Sequence, residues 1–222
     1  MFRSVLPYLD AAGITEPAVC YQGAAVVRPS TGEWLLHARV EVDLALEAIT
    51  ALEEAGYSPN VYVDDELFVA THTAYSRAYA DFQRLPVTEV GPLVEWLSRP
   101  PTKLVAVGDP AVLPALRDVL RARFDGRLFV TTSLPTLLEI GHHGVSKGTG
   151  LRFLADTLGI DPADVVAFGD GENDLELLEA AGYGIAIEGG HPLLLTVADA
   201  TCAGPAEEGV ARVIDAYLDS IA

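Results

Sequence analysis

The sequence predicts an α/β protein, a parallel helix-covered sheet carrying an inserted α+β module, and three observations lead there. From Ser146 onward, short apolar strand-like runs alternate with helical stretches, the pattern of a parallel sheet with crossover helices. Between about residues 26 and 140 the texture is different, with hairpin signals and scattered helices. The third observation is a single run, Val165 to Asp174, in which an apolar strand passes directly into the acidic loop Gly169-Asp170-Gly171-Glu172-Asn173-Asp174. An open parallel sheet binds its ligands at such strand ends.

Taken in order, Arg3–Ala12 reads as a helix with Val5, Leu6 and Leu9 on one face and Gly13 as its stop. Ala18–Tyr21 reads as a short buried strand of the parallel layer, ending at Gln22-Gly23. Ala24–Arg28 and Trp34–Val40 form a hairpin around Pro29-Ser30-Thr31-Gly32, and Leu44–Ala55 a helix. Val61–Val63 and Leu67–Val69 flank Asp64-Asp65-Glu66, read as a solvated turn. Residues 71–101 are irregular and helical in pieces. Leu104–Val107, Leu128–Thr131 and Thr136–Ile140 are strands, with a helix over Ala111–Phe124. The second half then gives helix Gly148–Leu158, strand Val165–Phe168, helix Leu175–Ala181, strand Tyr183–Ile187, helix Pro192–Ala198, strand Ala200–Cys202 and helix Glu207–Leu218. The module boundaries fall near residues 25 and 141: residues 1–25 and 141–222 form the parallel core, and 26–140 the insertion.

Composition limits what such a protein does. Half of the 222 residues are hydrophobic, enough for a large core, and the net charge is −18. That charge argues against nucleic acid and anionic membranes as partners, because both require clustered Lys and Arg. No apolar run approaches the roughly 20 residues needed to span a bilayer, and no signal peptide is evident at the N-terminus. Cys20 and Cys202 sit in apolar segments and read as buried free thiols of a reducing, cytoplasmic compartment. The lysines are Lys103 and Lys147 alone; a compact ammonium at 147, before Gly148-Thr149-Gly150, has a reason to be lysine that Lys103 lacks.

The acidic loop carries the chemistry. Gly169 and Gly171 allow a sharp turn and close approach of backbone to a ligand. Asp170 and Asp174, four residues apart, are read as aimed at one point, a cradle for a hard cation such as Mg²⁺, with Asn173 between them. An EF-hand is excluded, since it would need Gly where Leu175 stands. Lys147 opens a helix, where backbone N–H groups and an ammonium together favour phosphate. Neither a Walker A loop nor a dinucleotide fingerprint occurs in the chain.

Together, Ser146-Lys147-Gly148, the acidic loop some twenty residues later, and Ala180-Ala181-Gly182-Tyr183-Gly184-Ile185-Ala186-Ile187 resemble the haloacid dehalogenase superfamily. The turn Gly189-Gly190-His191-Pro192 and the closing Glu207-Glu208-Gly209-Val210 point to its Cof-type phosphatases with an inserted C2 cap. The resemblance implies a Rossmann-like core, a cap over residues 26–140, Mg²⁺ as cofactor and a small phosphorylated metabolite as substrate. It assigns Asp170 as the Mg²⁺ ligand, Asp174 as a supporting carboxylate, and Lys147 as the cation that neutralises phosphate and nucleophile. Asn173 would hold the loop or contact phosphate. Gln22-Gly23 falls where the family has Asn-Gly and would contact substrate. His142 and His143 are expected to be solvent or hinge residues at the return from the cap.

One departure matters. The family's nucleophile is the first Asp of an Asp-x-Asp-x-Thr run, and no such run occurs here. Neither does the family's second motif, a Thr or Ser after the second strand. The expectation is that a strand, a helix and a strand, roughly 30–40 residues or one βαβ unit, are missing before Met1. The function expected is a phosphohydrolase working through an aspartyl-phosphate whose nucleophile is absent from this chain. Phosphoryl transfer on the same fold, or a non-catalytic phosphate-ligand binding or regulatory protein, are the alternatives.

Overall fold

Where Asp64-Asp65 turns the chain, both residues adopt the left-handed conformation, with φ of 51° and 63°. This is the local geometry that two-residue hairpin loops require. It joins two of the strands of a six-stranded sheet in the computed structural model of the chain, which describes residues 1–221. The chain forms two compact units, one of residues 1–145 and one beginning at Ser146.

The first unit contains α1 (Phe2–Ala11), β1 (Ala18–Cys20), β2 (Ala25–Arg28), β3 (Glu33–His37), α2 (Val42–Glu54), β4 (Asn60–Val63) and β5 (Glu66–Val69). It continues with α3 (Ala74–Gln83), β6 (Val87–Glu89), α4 (Leu93–Trp96), β7 (Lys103–Val107), α5 (Leu113–Arg123), β8 (Leu128–Leu134) and β9 (Leu137–His142). The large sheet has the order β6-β5-β4-β7-β9-β8. All its pairs are antiparallel except β5–β6. Strand alternation gives it two unlike faces. Val61, Val63, Leu104, Ala106, Leu138 and Ile140 pack with Ile49 and Leu52 of α2 and Leu120 of α5 into an apolar core. The other face presents Tyr62, Leu67, Val105 and Leu137 to Phe2, Tyr21, Val27 and Tyr79.

The strand expected in the parallel layer at 18–21 is instead β1, paired antiparallel with β2 and packed in the first unit. Tyr21, Gln22 and Gly23 all have positive φ, 55°, 58° and 96°, and reverse the chain at once, so the next segment takes the edge of β1. Residues 1–25 therefore group with residues 26–145, in contrast to the expected division. Strand β6 was not anticipated; it has three residues, two of them exposed, too short for an alternation to register.

The same reversal places β3 beside Thr102. His37 Nε2 lies 2.7 Å from Thr102 Oγ1, its Nδ1 accepts from Arg39 Nε at 3.2 Å, and Trp34 stacks on the ring at 4.1 Å. Burial, and then the Arg39 guanidinium, push the imidazole from its ordinary 6.5 down to about 4. The folded protein thus prefers neutral His37, while the unfolded chain protonates first as pH falls. Stability is expected to decline from about pH 6.5 to about pH 4 through this residue. Urea midpoints across that range should fall less steeply in His37→Gln.

The second unit contains α6 (Lys147–Leu158), β10 (Val166–Gly169), α7 (Leu175–Ala180), β11 (Tyr183–Ile187), β12 (Ala200–Cys202) and α8 (Gly209–Ile221). Strands β10, β11 and β12 form the expected parallel sheet, in that order. Ala167, Leu178, Ala186 and Leu194 make its core. The helix expected over Pro192–Ala198 is only a 3₁₀ segment, Pro192–Thr196. Asp199 ends it early: its N–H donates to Gly184 O and its carboxylate accepts from Gly184 N, both at 2.8 Å. No helix among the described residues is long and apolar enough to cross a membrane.

Candidate active site

Strand β10 delivers Asp170 to the carboxyl end of the parallel sheet, and the loop that follows is built around Asp174. Gly169 lacks a side chain where one is forbidden, since a Cβ there would lie 2.6 Å from Asp174 Cβ. That close approach lets the buried Asp174 carboxylate fold back under the loop. Its Oδ2 accepts the backbone N–H groups of Asp170 and Gly171, both at 3.0 Å. Its Oδ1 accepts from Lys147 Nζ in an ion pair. The loop is held from the other side by His191 N–H, which donates to Asp170 O at 2.8 Å. Gly190 packs on the Asp170 backbone there, and a Cβ would come within 2.7 Å of Asp170 O.

Lys147 owes its position to a helix start. Ser146 caps α6 by accepting from Thr149 N at 3.2 Å, while Thr149 Oγ1 accepts from Ser146 N at 2.8 Å. This reciprocal box satisfies two donors at the helix N-terminus. Gly148 then brings α6 against the backbone of Glu176 in α7, a contact that leaves no room for a Cβ. The Lys147 side chain remains 33% exposed, against 5% for Asp174. An ammonium carries three donors, and Asp174 accepts from the Lys147 ammonium.

Of the residues assigned from sequence, Lys147 and Asp174 are thus brought together, and Asp170 and Asn173 lie in the same loop. Asp174 is committed to Lys147 and two amides, whereas the Asp170 side chain is exposed. Among the described residues no group of three or more His, Cys, Asp or Glu is placed to hold a metal. One exposed carboxylate at a strand end still suits Mg²⁺, which commonly takes one or two carboxylates and completes its shell with water and phosphate oxygens. His142 and His143 are exposed, and Cys20 and Cys202 are buried free thiols. Burial pushes the Cys20 thiol up to about 11, which leaves it unreactive.

Gln22 and Gly23 belong to the first unit, where a second polar site was not foreseen. Gln22 Nε2 donates to Glu139 Oε2 at 3.3 Å, Lys103 Nζ to the same oxygen at 2.8 Å, and Ser133 Oγ to Oε1 at 2.5 Å. Lys103 and Glu139 side chains are 7% and 6% exposed. Burial pushes the Glu139 carboxyl up, but the Lys103 ammonium and the three hydrogen bonds outweigh it and hold the group below its usual range. The signal in the sequence was a charged residue beside or within an apolar strand, Lys103 before Leu104–Val107 and Glu139 between Leu138 and Ile140. Asp65, read as solvated, is also buried. It accepts from Tyr21 Oη at 2.5 Å and from the backbone N–H of Phe2 and Arg3 at 3.1 and 2.8 Å, anchoring the start of α1.

A parallel sheet with an acidic loop at a strand end and a lysine at the adjacent helix start defines a mixed α/β phosphate-type site. The model of the haloacid dehalogenase-like hydrolase family matches residues 1–214, and the chain belongs to that family. The 5-amino-6-(5-phospho-D-ribitylamino)uracil phosphatase YitU of Bacillus subtilis is 30% identical over 98% of this chain and 82% of its own length. The HMP-PP phosphatase of an Enterobacter species is 26% identical over 75% of this chain and 56% of its own. A crystal structure from Thermotoga maritima superposes with a TM-score of 0.80 at 28% identity, covering 97% of this chain and 81% of that one. A haloacid dehalogenase-like hydrolase from Bacteroides thetaiotaomicron has the same fold, with a TM-score of 0.83 at 22% identity, covering 96% of this chain and 82% of its own.

Proposed function

We propose that the protein is a Mg²⁺-dependent phosphohydrolase of a small phosphate monoester, such as a sugar phosphate, in the cytoplasm. The observation that carries this reading is the Lys147–Asp174 ion pair under the loop that bears Asp170. Lys147 binds the phosphoryl group through the N–H donors that Asp174 leaves to it, and so counters charge that grows in transfer. Asp174 fixes both the ammonium and the loop amides, which is a positioning role. Asp170 would hold Mg²⁺, and the ion when bound neutralises phosphate oxygens. Gln22, Gly23 and Asn173 are proposed substrate contacts. A net charge of −18 argues against nucleic acid as the substrate.

Residues 1–222 contain no Asp-x-Asp run, so this reading assigns no attacking carboxylate of that kind among them. Residues 1–222 are therefore expected to bind phosphate with Mg²⁺ but not to hydrolyse p-nitrophenyl phosphate. A protein extended upstream in the same reading frame is expected to turn it over only with Mg²⁺. In that protein Lys147→Met should lower kcat by about 10²–10³, the loss typical of one electrostatic donor. Undiminished turnover by residues 1–222 would overturn the placement of the nucleophile. Phosphate binding without turnover in both proteins would favour the regulatory alternative, and transfer to a sugar acceptor the phosphotransferase.

A further inference from the structure

We propose that helix α1 is a displaceable strap: it docks on the second face of the six-stranded sheet and leaves it as a unit while the rest of the first unit stays folded.

The helix is weak in itself. Its ten residues fall short of the roughly 12–15 below which an isolated helix is marginal in water. Pro7 stands inside it and offers no N–H to Arg3 O, four residues back. Met1 at the N-cap makes no side-chain cap bond, and the first turn carries no acidic residue. Docking, more than propensity, must therefore keep these residues helical.

That docking is narrow and sits at one end. Phe2 is the one buried side chain of the helix. Val5 and Leu6 are half-buried against the cluster of Tyr21, Leu67 and Tyr79. Asp65 accepts the backbone N–H groups of Phe2 and Arg3 at 3.1 and 2.8 Å. Farther along, Pro7, Tyr8, Asp10 and Ala11 are exposed, and the α1 backbone lies close to no other helix or strand over any length. The Arg3–Glu66 ion pair at 3.7 Å and the Arg84 guanidinium 5.5 Å from the Tyr8 ring are surface contacts, which hold weakly. The contact also contains defects. Ser4 Oγ is buried without a hydrogen-bond partner, a cost that water would relieve. A cleft lined by Arg3, Asp65, Glu66, Leu85 and Thr88 opens beside the first turn.

The chain is built to let the helix go. Residues 11–16 are exposed, and Gly13, with φ of 66° and open space about its Cα, supplies a pivot before β1. When the strap leaves, water replaces the two amides on Asp65, which keeps the Tyr21 hydroxyl. The other polar contacts of that face, Lys103 with Glu139 and Tyr62 Oη with Tyr79 Oη, do not involve α1. The helix is thus a reversible cover, and its opening equilibrium sets how often the face beneath is available.

The test is native-state amide hydrogen exchange on residues 1–222, read by NMR at increasing low urea. The amides of α1 are expected to exchange together, at least about 100-fold less protected than those of β4 and β7, and with a weaker urea dependence than global unfolding. Asp65→Asn keeps a residue that tolerates the left-handed turn and removes the charged acceptor. It should lower α1 protection about tenfold and leave β7 unchanged, the loss expected for a hydrogen bond to a charged group. Should that variant not fold, Phe2→Ala is expected to give the same selective loss. Pro7→Ala restores a donor for Arg3 O and should raise α1 protection about tenfold or more, again without effect on β7. Protection in α1 equal to that of β4 and β7, with the same urea dependence, would overturn the strap. So would β7 losing protection in step with α1 in these variants.

Discussion

Lys103→Met is expected to destabilise the protein by about 3–5 kcal/mol, and adding Glu139→Leu is expected to restore most of that loss. Removing the ammonium alone strands a buried carboxylate that keeps Ser133 and Gln22 as hydrogen-bond partners. Removing both ions takes away the desolvation penalty together with the attraction, and two apolar side chains of similar volume fill the same space beside Tyr62 and Val105. The recovery on the second substitution, more than the first loss, distinguishes a charge effect from a packing defect, because a cavity would deepen with each change.

The pH dependence of the single variant makes the argument sharper. In the wild type the Glu139 carboxyl is held below its usual 4.5 by Lys103 against the pull of burial. Its contribution is present above that value and is lost as pH falls through the lower folded one. Without Lys103, burial is the dominant influence and raises the carboxyl instead. The penalty then falls on the ionised form, so it is full at neutral pH and fades as the group protonates. Urea unfolding should show the gap between Lys103→Met and wild type narrowing from pH 7 to pH 4. A gap that stays constant would mean that Lys103 acts through its methylene stem alone.

How far the sequence could be read follows from which features are local. Strand–loop–helix punctuation is local, and β11 falls where its Gly-rich, β-branched run predicted it, at Tyr183–Ile187. Lys147 and Asp174 were legible because each stands at an element terminus, where charge has few structural roles. Asp65 and Lys103 were not, because a carboxylate in a turn and a lysine at a strand start look the same whether they face water or a partner distant in sequence. Their partners, Tyr21 and Glu139, lie 44 and 36 residues away. The pairing of β1 was hidden for a related reason: a three-residue strand carries no sign of which neighbour it will take. What did decide it, two consecutive non-glycine residues at positive φ, is written weakly in Tyr21-Gln22 and only Gly23 hints at it.

Gly148→Ala gives the site its most discriminating test, because propensity and packing predict opposite signs. Within a helix, alanine is favoured over glycine by about 0.8–1.0 kcal/mol, so intrinsic preference alone would stabilise α6. The Cβ, however, meets the carbonyl group of Glu176, which is backbone and cannot rotate aside. Overpacking of this kind costs typically about 1–3 kcal/mol, enough to reverse the propensity gain. The methyl group also sits next to Lys147, so relief of the clash must draw the start of α6 away from α7 and with it the ammonium from Asp174. Net destabilisation is therefore expected together with weaker phosphate binding, read by urea unfolding and by the NMR response at Gly171. Gly159→Ala is the matched control. It lies at the far end of α6 with φ of 67° and open space around its Cβ, so it should cost about 1–2 kcal/mol of backbone strain and leave phosphate binding unchanged. If Gly148→Ala instead raised stability and kept phosphate affinity, the close approach of α6 and α7 would not be what positions Lys147.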